Sequence, residues 1–260
     1  GESLPHMMHR LLAGLLCVLA GLAQAGEPLE VFAHSLDGAA EWHDGQPRPL
    51  VAGGMRAFSL ALTLRLLAGQ PRPYTVREVP MTRGIQLLGM PHPVLLIGQF
   101  RTPEREPLFH WVGPISPRQI KLYRLSSRND IQIHSEADLM RYKLGAMFES
   151  AAAKKLAGFG LQPERGLDLS ASDEIALKKL MLDRTDMVAM LDWAMAWQLK
   201  QQKIDPRRVR PVWLLDGSSQ YWFALSRGTP QYKVKRLQTA LNQISNDGRL
   251  QQLRQKYLAE

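Results

Sequence analysis

Residues 94–114, VLLIGQFRTPEREPLFHWVGP, decide how the rest of the chain is read. Val94 to Ile97 is a short continuous apolar run of the kind that forms a strand covered on both faces. Gly98 to Pro107 then turns polar, and Leu108 to Val112 resumes an apolar run that stops at Gly113-Pro114. Upstream, Leu29 to Ala33 reads as a first strand, and Met55 to Ala68 sets Leu60, Leu64 and Leu67 on one helical face before Gly69. Tyr74 to Val79 alternates as a strand, and Thr82 to Leu88 opens with a capping residue as a short helix. The whole is a β-α-β-α-β run.

Downstream, Ile120 to Leu125 is the next strand, and the alternation repeats. Helices are expected at Ser135 to Arg141, Ser150 to Ala157, Ala171 to Leu182 and Asp192 to Lys203, with strands at Lys143 to Met147, Gly166 to Leu169 and Met187 to Met190. After the basic connector between Pro206 and Pro211, strands at Val212 to Leu215 and Tyr221 to Leu225 are expected to pair. A long helix, Gln231 to Ser245, an Asn246-Asp247-Gly248 turn and a short amphipathic helix through Tyr257 close the chain. Two α/β units bracketed by a C-terminal return are implied.

The 260 residues are 45% hydrophobic and 22% charged, with 20 Gly and 17 Pro, which excludes disordered and collagen-like readings. After the first stretch no apolar run reaches the ~20 residues of a membrane-crossing helix. The single cysteine, Cys17, excludes an intrachain disulfide framework and a cysteine-rich zinc site. The net charge of +9 suits nucleic acid, an anionic membrane surface or an acidic small molecule equally. At the start, Gly1 to Met7 reads as the leftover of an expression tag. His9 and Arg10 then precede the apolar run Leu11 to Leu22 and Ala23-Gln24-Ala25, the pattern of a signal peptide cleaved before Gly26. Leu16 before Cys17 argues against a lipid anchor. Residues 1–25 are therefore set aside, and a periplasmic location is expected.

The string Arg101-Thr102-Pro103-Glu104-Arg105-Glu106, followed by Phe109-His110-Trp111-Val112-Gly113-Pro114, resembles the T-x-E-R…F-S-x-P segment of amino-acid-type (family 3-like) periplasmic solute-binding proteins of ABC transporters. Tyr221 to Pro230 resembles that family's strand before its C-terminal helix, and Asn246-Asp247-Gly248 through Lys256-Tyr257-Leu258 resembles its closing pattern. The resemblance spans nearly the whole mature chain. It implies an α/β, two-lobed, type II periplasmic-binding-protein fold whose lobes are joined by two hinge crossings and close on a ligand. On that pattern, residues 26–117 begin lobe one, residues 118–210 form lobe two with the hinge strands, and residues 211–260 return to lobe one.

The resemblance also implies site residues. The arginine that grips a ligand carboxylate in the family falls on Arg105, and a guanidinium suits the task because its planar fork makes two parallel charge-assisted bonds. The alternative for Arg105 is a surface pair with Glu104 or Glu106. Beside it, Gly98 and Phe100 offer backbone groups and a ring where relatives often carry hydroxyls. Ser150 stands at a helix start that favours anions, or serves simply as its N-cap. Glu149 replaces a usual small residue. Asp192 is the candidate for an amino-group contact, or caps the helix beginning at Trp193. Trp42, in a polar loop, is the candidate aromatic wall, with packing on its own lobe the alternative. Arg83 is a second anion contact or a surface residue.

No pair among the seven histidines has close metal-ligand spacing on an expected helix, and the Trp193/Trp197 and Met187/Met190 stripes read as core. The basic run from Lys200 to Arg210 lacks interleaved aromatics, so nucleic acid is not an expected partner. No phosphate loop, dinucleotide fingerprint or nucleophile elbow is present in the sequence. The expectation is a monomeric binding protein, without cofactor, metal or catalysis, that captures a small carboxylate-bearing solute for a membrane ABC permease. Two alternatives stand beside it: a cyclic-acid dehydratase-like enzyme using Glu149, and a sensory protein that presents its ligand to a receptor.

Overall fold

The computed structural model describes residues 27–70 and 74–258. The expected signal peptide, its cleavage site and Cys17 lie outside the described residues. The first lobe begins with β1 (Glu30–Ala33), the hairpin β2 (Ala40–His43) and β3 (Gln46–Pro49), and helix α1 (Gly54–Ala68). β4 (Val76–Glu78), α2 (Met81–Leu87) and β5 (Val94–Phe100) follow. The chain crosses on β6 (His110–Leu125) to β7 (Leu144–Met147), α3 (Ala151–Gly158), β8 (Leu167–Ser170), α4 (Asp173–Met181), β9 (Met187–Leu191) and α5 (Asp192–Gln201). It returns on β10 (Val209–Leu225) and ends with α6 (Gln231–Asn246) and α7 (Arg249–Leu258).

Eight strands form one sheet in the order β4-β1-β5-β10-β6-β9-β7-β8. β1 is parallel to β4 and β5, and β7 is parallel to β8 and β9, while β6 and β10 run antiparallel to each other through the middle. Strand side chains alternate between two covered faces, as parallel sheets require. In β5, Leu95 and Ile97 enter the core around α1, whereas Val94 and Leu96 enter the core that also holds Leu87 and Leu88. In β9, Met187 and Ala189 face α3, whereas Val188 and Met190 pack with Leu177 and Leu180 of α4. The first pair of cores draws on residues from Leu29 to Ile115 and from Phe223 to Tyr257, and the second pair on residues from Ile120 to Leu215.

Val51–Ala68 is long and apolar enough to cross a membrane by length and composition, with mean hydropathy 1.3. Here it is the central helix of the larger core, with Phe58, Leu60 and Leu62 wholly buried.

The sequence divides each crossing strand in two, but the structure makes each continuous. Pro114, Pro117 and Pro211 read as breakers because proline lacks the N–H a sheet ladder needs. Yet β9 pairs with β6 only over Ile120–Tyr123, so the half of β6 that carries Pro114 and Pro117 is a sheet edge. β5 pairs with β10 only over Tyr221–Leu225, so Pro211 also lies on an edge half. Prolines at edges cost no ladder bond. Three smaller departures follow from local geometry. Residues 136–141 form a 3-10 turn rather than an α-helix, the loop after β1 folds back as the β2–β3 hairpin, and Pro80 rather than Thr82 precedes α2 without a side-chain cap.

Candidate functional site

In open α/β sheets ligands sit beyond the carboxyl ends of the parallel strands. At the ends of β1 and β5 a pocket of about 110 Å³ is lined by His34, Ser35, Arg56, Ser59 and Gly98 of lobe one. Trp193, from the start of α5 in lobe two, and Tyr221, on the returning strand, complete it. A larger crevice of about 620 Å³, lined by Asp192 and Lys200 among others, adjoins it across Met55 and Trp193.

Lobe two reaches this place through one face of α5. The Trp193 indole Nε1 donates to the Tyr221 hydroxyl at 2.9 Å, and the Lys200 ammonium donates to the Ala52 carbonyl at 3.3 Å. Between them the Trp197 ring lies 4.6 Å from the Arg56 guanidinium, and so close to Gly38 that a Cβ there would sit 2.8 Å from the ring. Gly38 also has φ of 72°, a left-handed conformation that glycine adopts without steric cost. The sequence assigns the Trp193/Trp197 stripe to the core. The structure corrects this: the two rings are half-buried between the lobes.

Two polar groups of lobe one are turned toward the pocket. Arg56 donates to the Ser35 carbonyl at 2.6 Å, while its buried Nε has no partner. Burial pushes this guanidinium below its ordinary value, against the opposing pull of Asp37 and Glu78. The His34 imidazole is likewise pushed down by burial, and its Nε2, tucked against Gly98, makes no well-formed hydrogen bond.

Gly98 shapes the strand as well as the pocket. With φ of 77° it marks a bulge in β5, so that Ala224 opposes Leu96 but Trp222 opposes Gln99. The bulge reverses the alternation, and Phe100 comes to share a face with Tyr221, its cross-strand partner.

Beyond Phe100, Thr102 accepts the Arg105 N–H on its hydroxyl and its carbonyl, which curls the loop. Arg101 grips both carboxylate oxygens of Glu106. Glu106 is thus taken, and Arg105 turns inward instead. It donates to Gln99 Oε1 at 3.3 Å and to the Phe100 carbonyl at 3.1 Å, and its guanidinium lies 4.8 Å from the centre of the Phe100 ring. Arg118, where β6 leaves lobe one, rests on the same ring at 4.1 Å and is only 7% exposed. Burial, and then the neighbouring Arg118 charge, push the Arg105 guanidinium below its ordinary value.

Of the residues singled out in the sequence, the structure brings Gly98 to the inner pocket and Asp192 to the adjoining crevice. Phe100, the cross-strand partner of Tyr221, and Arg105 on its ring are outside the residues lining either cavity. Asp192 accepts the Trp193 N–H at 2.8 Å. Ser150 accepts the Ala153 N–H at 3.1 Å as the N-cap of α3, and Glu149 beside it is exposed. Trp42 is 45% exposed on the β2–β3 hairpin, and Arg83 is exposed on α2 near Gln86, both outside the residues lining the two cavities. Sequence reasoning missed His34, Arg56, Arg118, Trp193 and Tyr221. The Trp-x-x-x-Trp stripe is the one signal that could have found any of them, since a helix face carrying two tryptophans needs a cover. Among the described residues no group of three His, Cys, Asp or Glu side chains is placed to hold a metal.

No family model matches the sequence, and no curated protein matches it. Solved structures do. The probable amino-acid ABC transporter extracellular-binding protein ytmK from Bacillus subtilis aligns with TM-score 0.66 and 17% identity, over 90% of this chain and 98% of that one. The fold is that of a type II periplasmic binding protein. The binding-protein likeness extends to the GluR0 ligand-binding core from Nostoc punctiforme, in complex with L-glutamate, at TM-score 0.63, 19% identity and coverage of 88% and 99%. A histidine kinase sensor domain with similarity to periplasmic binding proteins aligns at TM-score 0.64 and 16% identity, over 89% and 96%.

Proposed function

We propose that this chain is a periplasmic solute-binding protein that captures a small carboxylate-bearing solute, an amino acid or a relative, between its lobes and delivers it to a membrane ABC permease. The observation that carries the reading is the grouping of cationic and aromatic side chains at the strand ends between the lobes. Arg56 stands in the pocket, and Arg105 lies on Phe100 with no carboxylate within ion-pair distance among the described residues. A guanidinium so placed can take a solute carboxylate in a bidentate grip when the lobes open and reclose. Binding-protein neighbours in amino-acid transport support the same role.

Calorimetric titration with amino acids, dicarboxylates, aromatic acids and polyamines tests it. Carboxylate-bearing compounds are expected to bind, and Arg105→Ala to weaken them by about 2–5 kcal/mol, with Arg105→Lys a partial rescue. Unchanged affinity in Arg105→Ala, or binding of polyamines alone, overturns the reading. The histidine kinase neighbour favours one second reading, a sensor that shows its closed form to a receptor; the genes beside this one, permease or kinase, distinguish the two.

A further inference from the structure

Arg118 is an anomaly by the usual economics of burial. A buried guanidinium is normally neutralised by a carboxylate, because an uncompensated charge out of water is costly. Among the described residues no carboxylate lies within ion-pair distance of Arg118, and Asp216 interacts with it only through space. Its guanidinium rests on the face of Phe100 at 4.1 Å and lies close to Tyr221, a side chain that lines the interlobe pocket. Arg105 rests on the same ring at 4.8 Å. Two cations therefore share one phenyl ring beside the pocket, although each raises the cost of the other. Arg118 also lies in the segment joining the lobes, opposite Ser219, so any flexing of the crossing strands changes its access to the cleft.

From this juxtaposition we infer that Arg118 is a second anion-binding side chain and that the solute carries two acidic groups on a short spacer, one for each guanidinium. The inference rests on the proposed solute-binding reading and narrows it from any carboxylate to a compact dianion. Two guanidinia over one ring suit two acid groups a few bonds apart. They leave a monoacid with one cation unsatisfied, and they repel a cationic solute. The shared Phe100 ring and the burial of Arg118 lower the local dielectric, which strengthens a contact there once an anion arrives. Tyr221 accepts the Trp193 N–H and lies beside Arg118, so an anion drawn to Arg118 arrives next to one of the contacts between the lobes.

The test uses glutarate and L-glutamate as probes with two carboxylates, the second also carrying an ammonium, and butyrate and γ-aminobutyrate as chains of similar length with one acid group. Calorimetry on the whole chain is expected to show the dianions binding at least about 30-fold more tightly, the least that losing one partner of a buried charge pair costs. Arg118→Met, which keeps the length and apolar packing, is expected to bring the dianions down to the level of the monoacids while leaving the monoacids within a few-fold. Thermal unfolding separates this from a structural role. If Arg118 is held for a solute, Arg118→Met without added probe unfolds at the same or a higher temperature, and Arg118→Lys recovers part of the dianion preference. A dianion preference that survives in Arg118→Met overturns the inference, as does a lower unfolding temperature with no change in preference. Monoacids that bind as tightly as dianions, with Arg105→Ala weakening both, overturn it while sparing the solute-binding reading. If none of the four probes binds while another amino or aromatic acid of the wider panel does, the inference falls and the solute-binding reading stands; if no carboxylate of either panel binds, both fall.

Discussion

One corner of lobe two and the cleft treat their arginines in opposite ways. In lobe two, Arg128 is surrounded by three carboxylates: Asp130 at 3.0 Å, Asp183 at 2.7 Å and Asp186 at 3.1 Å. Asp186 also accepts the Lys143 N–H at 2.8 Å, so the cluster staples the start of β7 to the loop before β9. Hydrogen bonds donated to these carboxylates, Asp130 first, raise the Arg128 guanidinium above its ordinary value. Along the cleft, Arg56, Arg105 and Arg118 are placed on aromatic rings instead, and burial lowers Arg56 and Arg105. A neutralised cation holds a fold together, whereas one resting on a ring retains charge for something else. Cationic groups at the site are thus recognised by what they lack, not by their number.

The contrast can be broken most sharply by exchanging the two kinds of change. Arg105→Ala is expected to remove about 2–5 kcal/mol of solute affinity in calorimetry while leaving denaturant unfolding nearly unchanged. Arg128→Ala is expected to do the reverse, costing about 1–3 kcal/mol in a urea titration with affinity intact. Stability lost in the first, or affinity in the second, would erase the distinction. Gly38→Ala addresses the contact between the lobes. The strained φ and the crowding against Trp197 are expected to cost about 1–2 kcal/mol. The loss should appear as a larger radius of gyration in solution scattering, without exposure of either lobe's core.

The smallest effect is one of pH. Because burial lowers the folded-state pKa of His34, the unfolded chain binds the extra proton first, and its stabilising contribution is full above the ordinary value of 6.5. It is lost as pH falls from there toward the lowered folded value, with a slope of at most about 1.4 kcal/mol per unit. His34→Gln should flatten that slope in unfolding measured between neutral and mildly acidic pH; a slope unchanged by the substitution would place the titration elsewhere.

Much of the alternation was legible because the strands of both lobes are covered on two faces and so appear as bare apolar runs. Met187 to Met190 and Val94 to Ile97 are found where the runs stand. The crossing strands were not legible, since a proline is a breaker in the middle of a sheet and harmless at its edge, and only the pairing partners tell which applies. The end of β5 was lost for a related reason: Gly98 looks like a stop, but its left-handed φ lets the strand bulge and continue to Phe100. Arg105 could be singled out from its neighbours in the loop. Arg118 could not, because a single arginine between Pro117 and Gln119 shows its isolation only when its surroundings are known.

The larger core joins Leu29 and Val31, near the first described residues, to Leu253 and Tyr257, near the last. The core of lobe two is contributed by one uninterrupted span, Ile120 to Leu215. A chain that emerges from its N-terminus can therefore finish its middle third first, while the apolar flanks of α1 wait, uncovered, for partners more than half the chain away. By contact separation the slower folding step is expected in lobe one. Trimming the last helix would leave lobe two able to fold and lobe one with no lid for its largest oily surface.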